Sequence, residues 1–171
     1  MAELSTKEKL QPSLLDRLTD DDSGNLQETR DKRVLSMRGL RKAVLRDLGW
    51  LFNTTGLASL QNMENFPRAA QSVINFGFPD LSGKTASGLD LAEVERRLRQ
   101  AIWDFEPRIL RDTVQVRARA VDVGGGNQNQ IIFEIHGELW GQTLSERLYL
   151  KTELDLEMGE IRVFDNDSRS S

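Results

Sequence analysis

The triplet Glu106-Pro107-Arg108 places an acid and a base on either side of a proline. Proline fixes its own φ angle and has no backbone N–H to donate, so this position favours a rigid corner. An arginine held in such a corner can form a paired hydrogen bond with a carboxylate of a partner or of its own chain. The residues therefore leave two alternatives open, a partner-binding corner and an intramolecular clamp.

Asp104 and Glu106 suggest a second chemistry, that of a glycosidase. Such an enzyme needs two carboxyl groups about 5–10 Å apart in a cleft, one of them with a raised pKa. Because the chain holds 27 acidic residues, some close pair is inevitable, and this pair is weak support for catalysis.

Two further motifs indicate no site. The segment 82–85 resembles the end of a phosphate-binding P-loop, but the required earlier glycine is replaced by Phe78, so we interpret it as a plain loop. His136 is the only histidine, and on a strand face shared with Glu134 and Glu138 we expect it at the surface or an edge. The chain has no cysteine and no Gly-x-Ser-x-Gly elbow, and we predict no catalytic residue, no metal site and no cofactor.

The composition is that of a globular protein, with 171 residues, 38% apolar residues and a net charge of −4. No apolar run exceeds three residues, which excludes a transmembrane helix, and the first residues lack signal-peptide features. We expect a cytoplasmic protein that does not insert directly into the membrane. A pI near 5.2 argues against a nucleic-acid partner.

Charge is unevenly distributed along the chain. Residues 30–48 carry a net charge of +5, from seven bases and two acids, and residues 134–167 carry −6, from nine acids and three bases. This asymmetry suits protein–protein docking by complementary fields, although two solvated faces would show the same pattern.

Three regions are predicted along the chain. Residues 1–33 form an N-terminal peptide and linker, whose Leu14, Leu15 and Leu18 either pack on the domain or bind a partner. Residues 34–165 form a single domain, and residues 166–171 form a disordered tail.

Within the domain the period of the apolar residues changes from helical to alternating. Helices are predicted over 34–53, from Pro67 to Gly77, and from Asp90 to Phe105, with Glu93 as a capping-box partner of Asp90. Alternating strands follow over 114–120, 131–136, 144–156 and 161–164, with a hairpin loop at 124–127. We predict an α+β fold, with about three N-terminal helices packed on one face of a C-terminal, largely antiparallel β-sheet.

Four segments together resemble the TssE family, the baseplate subunit of bacterial type VI secretion systems, which is similar to the wedge protein of contractile-phage baseplates. They are LQPSLLDRLTD, RKAVLRDLGWLFNTT, PRAAQSVINFGFPDLSG and AIWDFEPRIL. The resemblance covers roughly residues 10–165 and departs mildly at Phe52 and Phe78, where leucine is expected.

The resemblance implies a non-enzymatic structural role. Such subunits sit in baseplate wedges with TssF-like and TssG-like subunits, at the inner face of the cell envelope, and help to start polymerisation of the contractile sheath. The family's Glu-Pro-Arg motif falls on Glu106, Pro107 and Arg108, and the sheet could offer a strand template to sheath subunits. A peptidoglycan-cleaving, lysozyme-like enzyme and a soluble adaptor unrelated to secretion remain the alternatives.

Overall fold

Three helices precede four strands in the computed structural model, which describes residues 37–85, 88–121, 130–140 and 146–165. The predicted α+β architecture is confirmed. The helices are α1 (Met37–Phe52), α2 (Pro67–Ala70) and α3 (Leu91–Phe105). The strands are β1 (Gln115–Val121), β2 (Gln130–Leu139), β3 (Glu146–Asp155) and β4 (Ile161–Asp165), and short 3-10 turns occupy Leu57–Ser59, Val73–Asn75 and Arg111–Thr113.

The sheet is an antiparallel meander in which each strand pairs with its neighbour in sequence, in the order β1-β2-β3-β4. Side chains of one parity are buried, as the alternation predicts, because successive strand residues point to opposite faces. The buried Thr152 donates its hydroxyl hydrogen to the carbonyl of Phe133 at 3.4 Å. The inward residues of β2 and β3 include Ile131, Phe133, Ile135, Leu148, Leu150 and Leu154.

Helices α1 and α3 complete the core over this face. Asp90 caps α3 by accepting hydrogen bonds from the backbone N–H groups of Ala92 and Glu93. The Glu93 side chain does not close the predicted capping box but pairs with Arg96 and Arg97 one turn later. The buried stripes are Leu40, Val44, Leu48 and Leu51 on α1, and Val94, Leu98 and Ile102 on α3, which confirms the helical spacing.

The prediction of one continuous helix from Pro67 to Gly77 was wrong. Helix α2 ends at Ala70, and a separate 3-10 turn begins after Ser72, whose hydroxyl accepts from the N–H of Ile74 at 3.4 Å. The Asn75 amide donates to the carbonyl of Ala70 at 2.8 Å. These side chains compete with the helix for backbone groups and divide the segment in two.

Three predictions lie outside the described residues: the N-terminal peptide with Leu14, Leu15 and Leu18, the loop over 124–127, and the tail over 166–171. Within the part of the chain that is described, no helix has the length and apolar character needed to cross a membrane.

Candidate functional site

The corner at Glu106-Pro107-Arg108 joins α3 to the sheet. The N–H of Glu106 makes the last helical hydrogen bond, to the carbonyl of Ile102 at 2.9 Å, before Pro107 prevents a further turn. The carbonyl of Arg108 then accepts from the N–H of Trp140 at 2.7 Å, where β2 ends. The chain is therefore attached to the sheet within two residues of leaving the helix.

The acid and the base of the corner bind each other. Nε of Arg108 lies 2.6 Å from Oε1 of Glu106, and Nη2 of Arg108 bonds the second carboxylate oxygen, Oε2. The backbone N–H of Arg108 also donates to Oε1 at 3.1 Å. Only 3% of Glu106 is exposed, so its carboxylate is buried. The bidentate pairing with Arg108 gives both of its oxygens a hydrogen-bond donor.

Asp47 on α1 completes the arrangement and was missed by sequence reasoning. Its Oδ2 lies 2.6 Å from Nη2 of Arg108, while its Oδ1 accepts from Nε of Arg46 at 2.8 Å. The one available signal was an acid within a strongly basic helix. Burial alone would lower the pKa of Arg108, but the hydrogen bonds and charges of Glu106 and then Asp47 outweigh it and raise that pKa above its ordinary value.

The geometry of the corner is that of the intramolecular clamp, one of the two alternatives that the triplet left open. Pro107 is exposed, and 24% of the Arg108 side chain faces solvent. Two half-exposed tryptophans lie on the connected elements: Trp140 follows β2, and Trp50 on α1 carries the guanidinium of Arg46 at 4.9 Å from its ring centroid. Exposed tryptophan beside arginine is typical of strong binding positions in protein interfaces.

The two carboxyl groups of the predicted glycosidase pair contact different side chains. Both oxygens of Glu106 are bonded to Arg108, whereas both oxygens of Asp104 lie 2.9 Å from the side-chain amide of Gln100 on the helix surface. The two carboxyls are therefore engaged by different partners, and the geometry does not present them together to a substrate.

The segment 82–85 lies in an exposed loop and His136 lies at the surface, as the sequence predicts. The N–H of Gly83, in the segment that resembles a P-loop end, donates to the carbonyl of Leu156 at 2.9 Å. His136 is exposed on β2, with its ring centroid 4.3 Å from that of Tyr149 on β3. Among the described residues, no group of three or more histidine, cysteine or acidic side chains is placed to hold a metal ion.

A second ionic clamp joins α1 to β4. Nε and Nη2 of Arg41 lie 2.6 and 2.7 Å from the two carboxylate oxygens of Asp165, and Nη1 donates to the carbonyl of Arg147 at 3.0 Å. Arg41 and Arg46 are two of the seven bases that predicted a positive field around α1. Part of that charge therefore stabilises the fold itself.

Both outer strands of the sheet meet side chains from the helical layer. Oε1 of Glu95 on α3 accepts from the N–H of Ala118 in β1 at 2.6 Å. At the start of β4, the amide of Asn53 both accepts from the N–H and donates to the carbonyl of Ile161, each at 2.8 Å. The two strand edges are thus covered at different places, β1 in the middle and β4 at its first residue.

A family model described as baseplate wedge protein gp25 matches residues 38–143, a range that contains α1 except for its first residue, the corner and all of β2. No curated protein and no solved structure matches the chain.

Proposed function

The chain belongs to the baseplate wedge protein gp25 family, which gives it a structural role in a phage-tail-like baseplate, and from that premise we propose that it is the TssE-like subunit of a type VI secretion baseplate. In this role it docks in the cytoplasmic wedge with TssF-like and TssG-like subunits and helps to initiate polymerisation of the contractile sheath. The proposed role is non-enzymatic.

The match of the family over the corner is the observation that carries this proposal. The Glu106–Arg108–Asp47 clamp fixes the angle between α1, α3 and the end of β2. Pro107 and the exposed part of Arg108 are held in a preset geometry beside Trp140. A preorganised surface of this kind loses little conformational entropy when a wedge partner covers it.

For the sheath template, we assign the receiving edge to β4. The hydrogen bonds of Asn53 show that the backbone of Ile161 faces away from β3, and because alternate residues of a strand face the same edge, Val163 does so too. On β1, in contrast, Glu95 occupies the N–H of Ala118 in the middle of the strand. An added sheath strand would extend the sheet beyond β4 by backbone hydrogen bonds.

The experiment is affinity purification of the tagged protein from its own cells, with mass spectrometry of the recovered subunits. We expect the wild type to recover wedge and sheath subunits, and Arg108→Ala to lose them. Arg108→Ala leaves the buried carboxylate of Glu106 without its partner. The double variant Glu106→Gln/Arg108→Ala also removes that charge, and it is therefore compared as a variant with no unpaired buried charge. The matched control, Arg96→Ala, removes an exposed arginine of α3 and should recover the wild-type set. Recovery of neither subunit type, from cells that express both, would overturn the proposal.

A further inference from the structure

Residues 57–76, between Gly56 and Gly77, connect the end of α1 to Phe78, and we call them the neutral segment. It contains α2 and two of the three 3-10 turns, Leu57–Ser59 and Val73–Asn75, and none of these three elements has a buried residue. Of its 20 residues only Glu64 and Arg68 are charged, whereas the chain average of 29% would give about six. The segment therefore has few charged side chains and is poorly covered by the rest of the domain.

Large apolar side chains concentrate on this segment. Leu60, Phe66, Val73 and Ile74 are 61–82% exposed, and they are four of the eight large hydrophobic side chains that are exposed among the described residues. Exposed apolar side chains that are grouped along one short segment in this way indicate an interaction site.

The neutral segment is nevertheless held in one conformation. At its base, the N–H of Phe78 donates to the carbonyl of Thr54 at 2.7 Å, and Oδ1 of Asn75 accepts from the N–H of Ala58 at 2.7 Å. The ring of Phe76 packs edge-on against Phe105 of α3, with centroids 5.4 Å apart. Since Phe105 immediately precedes the corner, the segment is anchored to the same end of α3.

We propose that the neutral segment is a docking surface for an apolar, uncharged face of another wedge subunit, an inference that rests on the proposed function. Because the segment has only two charged side chains, covering it removes almost no charge from water. A partner face that is itself apolar therefore binds it most favourably. A lipid surface fits less well, because interfacial segments combine apolar residues with several lysines or arginines, and this one has a single arginine in a chain of net charge −4.

The test co-expresses the full chain with the TssF-like and TssG-like subunits of the same cells and measures their recovery. The paired variant Val73→Ser/Ile74→Ser should reduce recovery at least about tenfold, because it removes two of the four exposed apolar side chains that the partner would bury. Both side chains are exposed, so the thermal unfolding midpoint should stay within a few degrees of the wild-type value. Met158→Ser, which removes a side chain that is 72% exposed outside the segment, is the matched control and should bind normally.

The outcomes separate this inference from the proposed function. If the wild type recovers neither subunit, the proposed function fails and the inference falls with it. If the wild type and the paired variant recover equal amounts, the inference alone is wrong. Two other results would also overturn it. One is flotation of the wild type with phosphatidylethanolamine–phosphatidylglycerol vesicles, and the other is a wild-type dimer in light scattering, in each case if the paired variant abolished the effect.

Discussion

Nη2 of Arg108 lies 2.6 Å from Oδ2 of Asp47, although the two residues are 61 positions apart in the sequence. The same guanidinium is bonded to both carboxylate oxygens of Glu106. One arginine therefore connects the first helix, the end of α3 and, through its own carbonyl, the end of β2 at Trp140. The corner is the joint between the helical layer and the sheet.

The two acids of this joint should contribute unequally to stability. Glu106→Ala removes the buried partner of Arg108 and should cost about 3–5 kcal/mol of unfolding free energy. Asp47→Ala should cost about 1–2 kcal/mol, because its side chain is 23% exposed and water replaces part of the interaction. Urea denaturation of the two variants measures both values, and equal losses would contradict the assignment of Glu106 as the central partner.

Sequence reasoning succeeded where the determining contacts are local. The stripe from Leu40 to Leu51, the Asp90 cap and the alternation along β2 each depend on neighbours within a few positions. The triplet at the corner was also identified from local rigidity alone. The binding partners of its charges were not identified, because the spacing of residues in the sequence carries no information about the approach of Asp47 from another helix.

The break in the second helix shows a different limit. Its residues have acceptable helical spacing, yet Ser72 and Asn75 bond backbone groups that a helix would have used. Which of these competing hydrogen bonds forms is decided by how the segment closes against Thr54 and Gly56, a tertiary contact.

Gly77 should be the least replaceable glycine at the base of the neutral segment. Its φ of 137° favours glycine, and an added Cβ would lie 2.3 Å from the carbonyl oxygen of Thr54. Gly77→Ala should therefore lower the unfolding free energy by about 2–4 kcal/mol. Gly49→Ala is the control: it lies inside α1 with no heavy atom within 4 Å of the new Cβ, and it should stabilise by about 0.5–1 kcal/mol. Thermal unfolding compares the two, and similar midpoints would contradict the close approach.

Asp80 should make a small, acid-sensitive contribution. Its pKa is lowered from 3.8, first by the backbone N–H of Ser82, which donates to Oδ1 at 2.8 Å, and then by the Ser82 hydroxyl. A carboxylate with a depressed folded-state pKa stabilises fully above its unfolded pKa, and the contribution is lost as pH falls through the folded value. The midpoint of the wild type should therefore exceed that of Asp80→Asn at neutral pH. The difference should shrink as pH falls through the lowered folded-state pKa of Asp80, because the protonated acid resembles the amide. A difference that is constant with pH would show that the charge contributes nothing.

Glu95 should keep β1 from pairing with another chain. Its carboxylate occupies the outward N–H of Ala118 at 2.6 Å, and strand edges without such cover are templates for association. Glu95→Ala should therefore increase the mass-average molecular weight across a concentration series in light scattering, while Glu95→Gln, which keeps an acceptor oxygen, should stay closer to the wild type. Glu93→Ala is the matched control on the same helix, because that carboxylate pairs with Arg96 and Arg97 rather than with a strand. A Glu95→Ala protein that folds normally and stays monomeric would show that the packing of α3, and not this hydrogen bond, protects the edge. In that case the choice of β4 over β1 as the sheath template would lose its main argument.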